Sequence, residues 1–158
     1  MSVRAKCRQC SGELHAETID SMSGEEGTLK VTLSGFPVMV CERGHRHFMV
    51  PDFPLKLLKR VTGDDEASLP SGRKKGLIFK EYLCGKCGER LGPEAHTKPF
   101  GFDVGVDDFP KFRLQLSVPV YTCPACGHEQ LRDREEVRAL TPVAMAQGFQ
   151  AAGLKPEA

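Results

Sequence analysis

The sequence predicts a small, mainly β fold of two tandem modules, each an antiparallel hairpin followed by a short helix. Two observations predict it. The seven cysteines of the 158-residue chain fall into two groups with nearly the same internal spacing. Within each group, the segment that separates the early cysteines from the late ones alternates apolar and polar residues, which is typical of half-buried strands. The length suits one ordinary domain or two small ones.

Composition excludes several classes of protein. There are 22 Lys and Arg against 21 Asp and Glu, so neither a strongly basic nucleic-acid coat nor an acidic tail is predicted. The first residues carry no apolar run typical of a secretory signal. No stretch approaches the roughly 18–20 apolar residues that span a bilayer, so no membrane partner is expected. We therefore expect a cytoplasmic, reducing location, where paired cysteines bind metals or form redox dithiols.

The cysteines form two sets of candidate metal ligands. Each set offers a Cys-x-x-Cys pair, then an excursion of thirty or more residues, then a second pair of ligands. Cysteine and histidine at such spacing are the usual ligands of tetrahedral zinc. The predicted ligands are Cys7, Cys10, Cys41 and His45 in the first set and Cys84, Cys87, Cys123 and Cys126 in the second.

The fourth ligand of the first set is the open point. Gly44 stands where the second set has Cys126, and His45 is the histidine that follows Cys41 at the shortest spacing. His47 and His15 are the alternatives, as is a three-cysteine site left open. An open metal position is a requirement of metal catalysis. No accompanying acid or base is evident, so no catalytic residue is predicted.

The repeat extends beyond the ligands and predicts the elements around them. Alternating segments at 29–33 and 112–116 predict the strands that lead to Cys41 and Cys123. Asp52 and Asp133 then follow at nearly equal distances and are predicted to cap the helix of each module. This many matching offsets indicate an internal duplication.

Module boundaries follow from composition. We expect one module over 1–62, a linker of loop composition over 63–76 and a second module over 77–158. A short strand over 77–83 leads into the second module. A further C-terminal helix is predicted over 141–153, with a proline near its start and a glycine at its end.

Metal is expected to staple each module. A Cys-x-x-Cys turn presents both sulfurs on one side, and Gly88 and Gly127 directly follow a cysteine where a left-handed backbone is needed. Two such turns complete a tetrahedron, so we predict two Zn²⁺ per chain. Four thiolates also suit iron, which is the alternative metal for the second set. Modules this small need such a staple, so metal affinity would appear as folding free energy.

These motifs carry a resemblance to known families. The second module, with Cys84-Gly-Lys-Cys87-Gly and Val118-Pro-Val-Tyr-Thr-Cys123-Pro-Ala-Cys126-Gly before an acidic helix start, resembles the YgiT-type zinc finger of bacterial antitoxins. More broadly, both modules resemble zinc ribbons. The resemblance implies an antitoxin-like role. The family places a helix-turn-helix domain after the ribbon, and only 18 residues follow Leu140, so operator binding by that domain is not expected.

The leading functional hypothesis is a non-enzymatic, zinc-binding interaction module with a protein partner, acting as an adaptor or regulator. The alternative is a nucleic-acid-binding zinc ribbon, with Phe36, Phe48 and Phe53 as candidate stacking residues. A redox or rubredoxin-like metal protein is the second alternative. The basic residues that would contact nucleic acid are Arg4, Lys6, Arg8, Arg43, Arg46, Arg73, Lys74 and Lys75.

Overall fold

The computed structural model describes residues 6–155. Its centre is one antiparallel sheet of six strands, in which the long strands follow the order β1, β2, β7, β6. The short β3 pairs with β2, β8 pairs with β7, and β4 and β5 form a separate two-stranded sheet. The strands are β1 Leu14–Glu26, β2 Leu29–Cys41, β3 Arg46–Phe48, β4 Lys74–Lys75, β5 Glu81–Tyr82, β6 Ala95–Val104, β7 Phe112–Thr122 and β8 Glu129–Gln130.

The two halves of the chain meet at the β2–β7 pair. Alternation predicted both strands, and both form, with Val31 opposite Leu116 and Leu33 opposite Leu114 in an antiparallel register. The sequence predicted two separate small sheets, whereas the hairpins join edge to edge into one. Since equivalent strands of the repeat pair antiparallel, the halves are related by an approximate two-fold rotation. The cysteines that follow β2 and β7 therefore lie at opposite ends of the sheet.

One aromatic cluster explains why the two hairpins join. The ring of Phe36 on β2 lies 5.4 Å from Phe53, 5.0 Å from Phe112 and 5.7 Å from Phe149. These four residues come from both halves of the chain, so neither hairpin could enclose this core alone. Phe36, Phe48 and Phe53 are buried in it and are not exposed for base stacking.

The first helix, α1 (Phe53–Arg60), begins after Asp52 as predicted, but the Asp52 side chain does not cap it. That carboxylate instead lies 3.4 Å from the ammonium of Lys56. Lys56 also reaches Asp107, at 2.8 Å, in the loop that precedes β7. The first helix is thus fastened to the second half of the chain.

Part of the predicted linker is helical. After α1 the chain continues through a π-helical turn, Val61–Asp65, and a 3₁₀ turn, Glu66–Ser68. Val61 and Leu69 are buried in the main core. The charged composition of this segment, with few apolar residues, did not predict that burial. The module boundaries at 62 and 76 stay a prediction.

The second helix, α2 (Arg134–Ala151), is capped by Asp133, whose carboxylate accepts from the Glu135 N–H at 3.0 Å. The sequence predicted a separate helix over 141–153, but α2 continues through Pro142 instead. Buried side chains occur on both sides of this proline, so packing outweighs the lost backbone hydrogen bond.

α2 crosses from the second half onto the first and packs against β1 and β2. The closest approach is at Gly24, where an added Cβ would lie 1.9 Å from the Ala144 carbonyl oxygen and 2.6 Å from the Gly148 nitrogen. Glycine at position 148 lowers the helix propensity of α2. Because it has no side chain, it allows the backbone of β1 to approach the helix closely.

The β4–β5 hairpin differs from the predicted strand over 77–83. Glu81–Tyr82 pair with β4, with Lys75 opposite Glu81 and Lys74 opposite Tyr82, and Leu83 bridges to Arg90. Leu77–Phe79 form an exposed turn between the strands. Within residues 6–155, none of the helices has the length and apolar character needed to cross a membrane.

Candidate metal centres

Three of the four cysteine turns share one geometry, in which the cysteine carbonyl accepts from the N–H four residues later. The closing pairs are Ser11 N to Cys7 O, Gly88 N to Cys84 O and Gly127 N to Cys123 O, each 2.9 Å. The closing residue has a positive φ of 60°, 81° and 77° respectively. Glycine adopts this conformation freely, whereas Ser11 holds it at a cost.

The turn at Cys41 is one residue shorter. Its carbonyl accepts from the Gly44 N–H at 2.9 Å, and Gly44 has a φ of 84°. The Cys41 N–H then donates to the His45 carbonyl at 3.2 Å, four residues on, whereas the other turns close this bond five residues on. Because the loop is shorter, the turn contains no second cysteine, and the longer side chain of His45 reaches back toward Cys41.

The first cluster contains Cys7, Cys10, Cys41 and His45, whose ligand atoms all lie within 4.8 Å of one another. The sulfurs of Cys10 and Cys41 are 3.7 Å apart. The Nδ1 atom of His45 lies 3.5 Å from the Cys7 sulfur and 3.4 Å from the Cys41 sulfur.

The other two candidate histidines are placed differently. His47 is buried beside the cluster, with its Nε2 atom 3.1 Å from the Cys7 sulfur. With its proton on Nε2, His47 would donate a hydrogen bond to the Cys7 sulfur. His15 is on the exposed edge strand β1, where its Nε2 atom lies 2.9 Å from Glu17. Of the three candidates, the structure groups only His45 with the cysteines as a fourth ligand atom.

The second cluster contains Cys84, Cys87, Cys123 and Cys126, and its four sulfurs likewise lie within 4.8 Å of one another. The Cys84 and Cys126 sulfurs are 3.6 Å apart, and those of Cys87 and Cys123 are 3.5 Å apart. Cys84 and Cys123 are buried, while Cys87 and Cys126 are exposed.

These separations fit a shared metal ion. A tetrahedral ion with metal–sulfur bonds of about 2.3 Å and metal–nitrogen bonds of about 2.0–2.1 Å separates two sulfurs by about 3.8 Å, and sulfur from nitrogen by about 3.6 Å. A disulfide instead joins its sulfurs at about 2.05 Å. All seven cysteines are free thiols, and both clusters have the donor set and size to hold a metal ion.

Backbone N–H donors lower the pKa of Cys41 in the first cluster and of Cys84 and Cys123 in the second. Burial opposes ionisation, but the N–H groups of His45 and Arg43 lower the pKa of Cys41 to about 6. In the same way, the N–H groups of Cys87 and Lys86 outweigh burial and lower the pKa of Cys84 to about 6. Thiolates rather than thiols bind metal, so these residues provide the first anionic ligands.

The neighbouring thiol of the second cluster behaves in the opposite way. An N–H from Glu89 favours the Cys87 thiolate, but burial and the sulfurs of Cys123, Cys126 and Cys84 raise the pKa of Cys87 to about 12. Four sulfurs this close cannot all be ionised without a cation among them. A bound divalent cation would remove this conflict.

Gln130 is a supporting residue that sequence reasoning missed. Its buried side chain accepts from the Gly85 N–H at 2.7 Å and donates to the Leu83 carbonyl at 3.1 Å. It therefore fixes the backbone on both sides of Cys84 from the short strand β8. Its position seven residues after Cys123 carried no recognisable signal, because a glutamine on a two-residue strand has no distinctive spacing.

The predicted basic residues fall into two groups at opposite ends of the sheet. Lys6, Arg8, Arg43 and Arg46 follow or precede ligands of the first cluster and are exposed. Arg73, Lys74 and Lys75 lie beside the second, and Lys74 contacts Asp133 at 3.0 Å. Arg4 lies outside the described residues. The described members of the set therefore do not form one continuous basic surface.

Comparisons with models of protein families, with curated proteins and with solved structures return no match to this chain.

Proposed function

We propose that this protein is a non-enzymatic interaction module of tandem zinc-ribbon type, in which two structural Zn²⁺ ions hold the two ends of one sheet. One observation carries the proposal. Two four-ligand clusters, Cys₃His and Cys₄, each bring their ligand atoms within 4.8 Å at the positions that a duplicated sequence pattern repeats.

The donor chemistry supports zinc. Thiolate and imidazole are the ligands of structural zinc, and sets of Cys₄ and Cys₃His are its usual forms. In each cluster a thiol whose pKa is about 6 supplies the first negative charge at neutral pH. Four protein ligands would close the coordination shell, which is typical of a structural rather than a catalytic zinc.

The partner is proposed to be a protein. The long strands β1 and β6 end the sheet on either side, so within the described residues their outer edges carry no further strand. Such an edge can pair with an extended segment of another chain. The antitoxin-like role implied by the YgiT-type resemblance is one form that this adaptor function could take.

Metal analysis of the purified full chain tests the proposal. We expect about two zinc ions per chain, no visible absorption, and unfolding of the cysteine turns when a chelator is added. A red chromophore would assign iron to the Cys₄ cluster. Fully folded protein without metal would contradict the structural role.

A capture experiment tests the class of partner. Metal-loaded protein is used as bait in native lysate, with and without nuclease treatment. The matched bait carries Thr18→Pro at an exposed β1 position opposite Pro37, which disrupts the edge strand outside the core. Retention after nuclease, and loss with the variant, would support the protein partner. Loss after nuclease would favour nucleic acid.

A further inference from the structure

The tip of the β4–β5 hairpin is the most exposed apolar feature of the described chain. Leu77, Ile78 and Phe79 are 99%, 85% and 88% exposed, and the next large apolar residues, Leu55 and Val143, are only about half exposed. We call the three residues 77–79 the apolar tip. Three consecutive bulky apolar side chains in water are unfavourable, which marks an interaction surface.

The hairpin holds this tip away from the body of the protein. Gly76 turns the chain with a φ of 100°, and a Cβ there would lie 2.3 Å from the Phe79 carbonyl oxygen. Below the turn, the Leu83 N–H donates to the Arg73 carbonyl at 2.8 Å. The Arg132 guanidinium lies 5.1 Å from the Tyr82 ring and covers the base. The base is therefore fixed and the tip projects from it.

The tip is flanked by positive charge. Arg73, Lys75 and Lys80 are exposed on the same hairpin, and Lys86 lies on the adjoining cysteine turn. Two nearby acidic groups are engaged by other cations, because Glu81 pairs with Arg90 at 2.6 Å and Asp133 pairs with Lys74 at 3.0 Å. The hairpin thus presents an apolar tip surrounded by cations. A complementary surface has an apolar interior that accepts the tip and anionic groups around it that contact the cations.

We propose that the apolar tip docks the protein peripherally on an anionic lipid bilayer. Leu77, Ile78 and Phe79 enter the boundary between headgroups and acyl chains, while Arg73, Lys75 and Lys80 contact lipid phosphates. A fluid bilayer surrounds a projecting tip without a preformed pocket. The sequence-based expectation of no membrane partner considered spanning segments only. This docking goes beyond the proposed adaptor function and requires neither a particular metal nor a protein partner.

A second copy of the chain offers a poorer counterpart. Its groove between α1 and α2 is lined by apolar residues alone. It therefore offers no anionic group to the cationic flanks of the tip. Nucleic acid would satisfy the cations but leave three apolar side chains in water.

A single-tryptophan variant tests the proposal in the full, metal-loaded chain. The protein contains no tryptophan, so Phe79→Trp introduces one fluorescent reporter at the tip. We mix it with vesicles of phosphatidylcholine alone or with about one-third phosphatidylglycerol. We expect a blue shift of the emission and at least about tenfold tighter binding with the anionic vesicles. High salt should weaken that binding because the Debye length falls to about 3 Å at 1 M.

Vesicle sedimentation with matched variants locates the contact. Leu77→Ser, Ile78→Ser and Phe79→Ser together should weaken binding at least about tenfold, as should Lys75→Glu with Lys80→Glu. The control Leu55→Ser with Val143→Ser removes exposed apolar groups elsewhere and should bind as the parent does. Zinc content and circular dichroism confirm that each variant is folded.

Four results would overturn the proposal. These are no blue shift with anionic vesicles, unchanged binding of the triple serine variant, a blue shift that depends on protein concentration without vesicles, and binding to a DNA oligonucleotide without vesicle binding. The third would instead indicate self-association and the fourth nucleic acid. None of them depends on zinc stoichiometry, so docking and the metal sites fail independently.

Discussion

The two ends of the sheet use the same sequence pattern but differ in what surrounds their cysteines. At the first end, Val40 and Phe48, from the strands on either side of the Cys41–His45 turn, belong to the main core. At the second end, Cys84 and Cys123 pack in a small separate cluster with Leu91, flanked by two tyrosines. Val120 and Leu131, on either side of the Cys123 turn, also belong to the main core, so the difference lies at the Cys84 turn. We infer that the second cluster depends more on its metal than the first does.

The hairpins differ in a similar way. β1 is covered by the 18-residue α2, which reaches across from the other half of the chain. Its counterpart β6 has no helix of this length over it, and nine of its ten residues are exposed or only partly buried. The two hairpins are therefore covered unequally, because within residues 6–155 the long helix α2 lies on β1 and no second helix of its length lies on β6.

The largest expected effect is at the second cluster. Cys123→Ser should abolish one of two zinc ions and loosen the residues around both cysteine turns, since the Cys84 turn is otherwise held by Gln130 and a small separate cluster. His45→Ala should weaken zinc at the first cluster but leave its turns largely protected, because the main core adjoins them. Zinc analysis and hydrogen exchange measure both effects. Equal loss of protection at the two ends would contradict the inferred difference in support.

Gly24→Ala tests the cover that α2 gives to the first hairpin. The added methyl would meet the Ala144 carbonyl at 1.9 Å, so the helix must move, and we expect a loss of about 3 kcal/mol. In the matched variant Gly148→Ala the methyl would lie 3.2 Å from the Gly24 nitrogen, a tight contact that a small shift relieves, and the helix gains propensity, so stability should change by under about 1 kcal/mol. Urea unfolding compares them. A Gly24→Ala protein as stable as the parent would refute this close contact.

A buried carboxyl beneath α2 predicts a pH dependence at the same joint. Burial raises the pKa of Glu66 above its ordinary value of 4.5, and the nearby Arg138 and Thr141 only partly offset this. The hydroxyl of Thr141 lies within hydrogen-bonding distance of both Glu66 and the Val137 carbonyl, and it has one proton. A protonated Glu66 can donate its own proton to the Thr141 hydroxyl oxygen. The Thr141 proton is then free for the Val137 carbonyl, so both hydrogen bonds form.

Because folding raises this pKa, the folded chain binds the proton more tightly, and stability falls as pH rises from about 4.5 through the folded-state pKa. Glu66→Gln should remove the part of the stability loss that comes from deprotonating Glu66. The variant should therefore be more stable than the parent at neutral pH and within about 1 kcal/mol of it in acid. Burial raises the pKa of Asp65 as well, so some slope should remain. Chemical unfolding at several pH values checks this, and parallel pH profiles would contradict it.

The smallest effect compares the cysteine turns themselves. Ser11→Gly should stabilise the first cluster by about 0.5–1 kcal/mol, because serine holds a φ of 60° there. Gly88→Ala, at a φ of 81° in the equivalent turn, should destabilise the second by about 1 kcal/mol. Thermal unfolding of zinc-loaded variants measures both. A destabilising Ser11→Gly or a stabilising Gly88→Ala would show that the turns are not equivalent.

Much of the fold followed from the sequence where local pattern decides structure. Alternation predicted β2 and β7, and cysteine spacing predicted which residues the two clusters bring together. Long-range packing decides the rest. Nothing local in Phe36 or Phe112 shows that they share one core, and the burial of Glu66 in a charged segment depends on α2, which lies some seventy residues later. Pro142 similarly predicted a helix start that packing on both sides overrides.

Cadmium-113 NMR of the full chain, reconstituted with cadmium in place of zinc, tests most directly whether each cluster binds one metal through its own donor set. We expect two signals of equal intensity, one typical of four sulfur ligands and one of three sulfurs and a nitrogen, with His45→Ala changing only the second. A single signal, two signals of the same donor type, or no bound cadmium would contradict it.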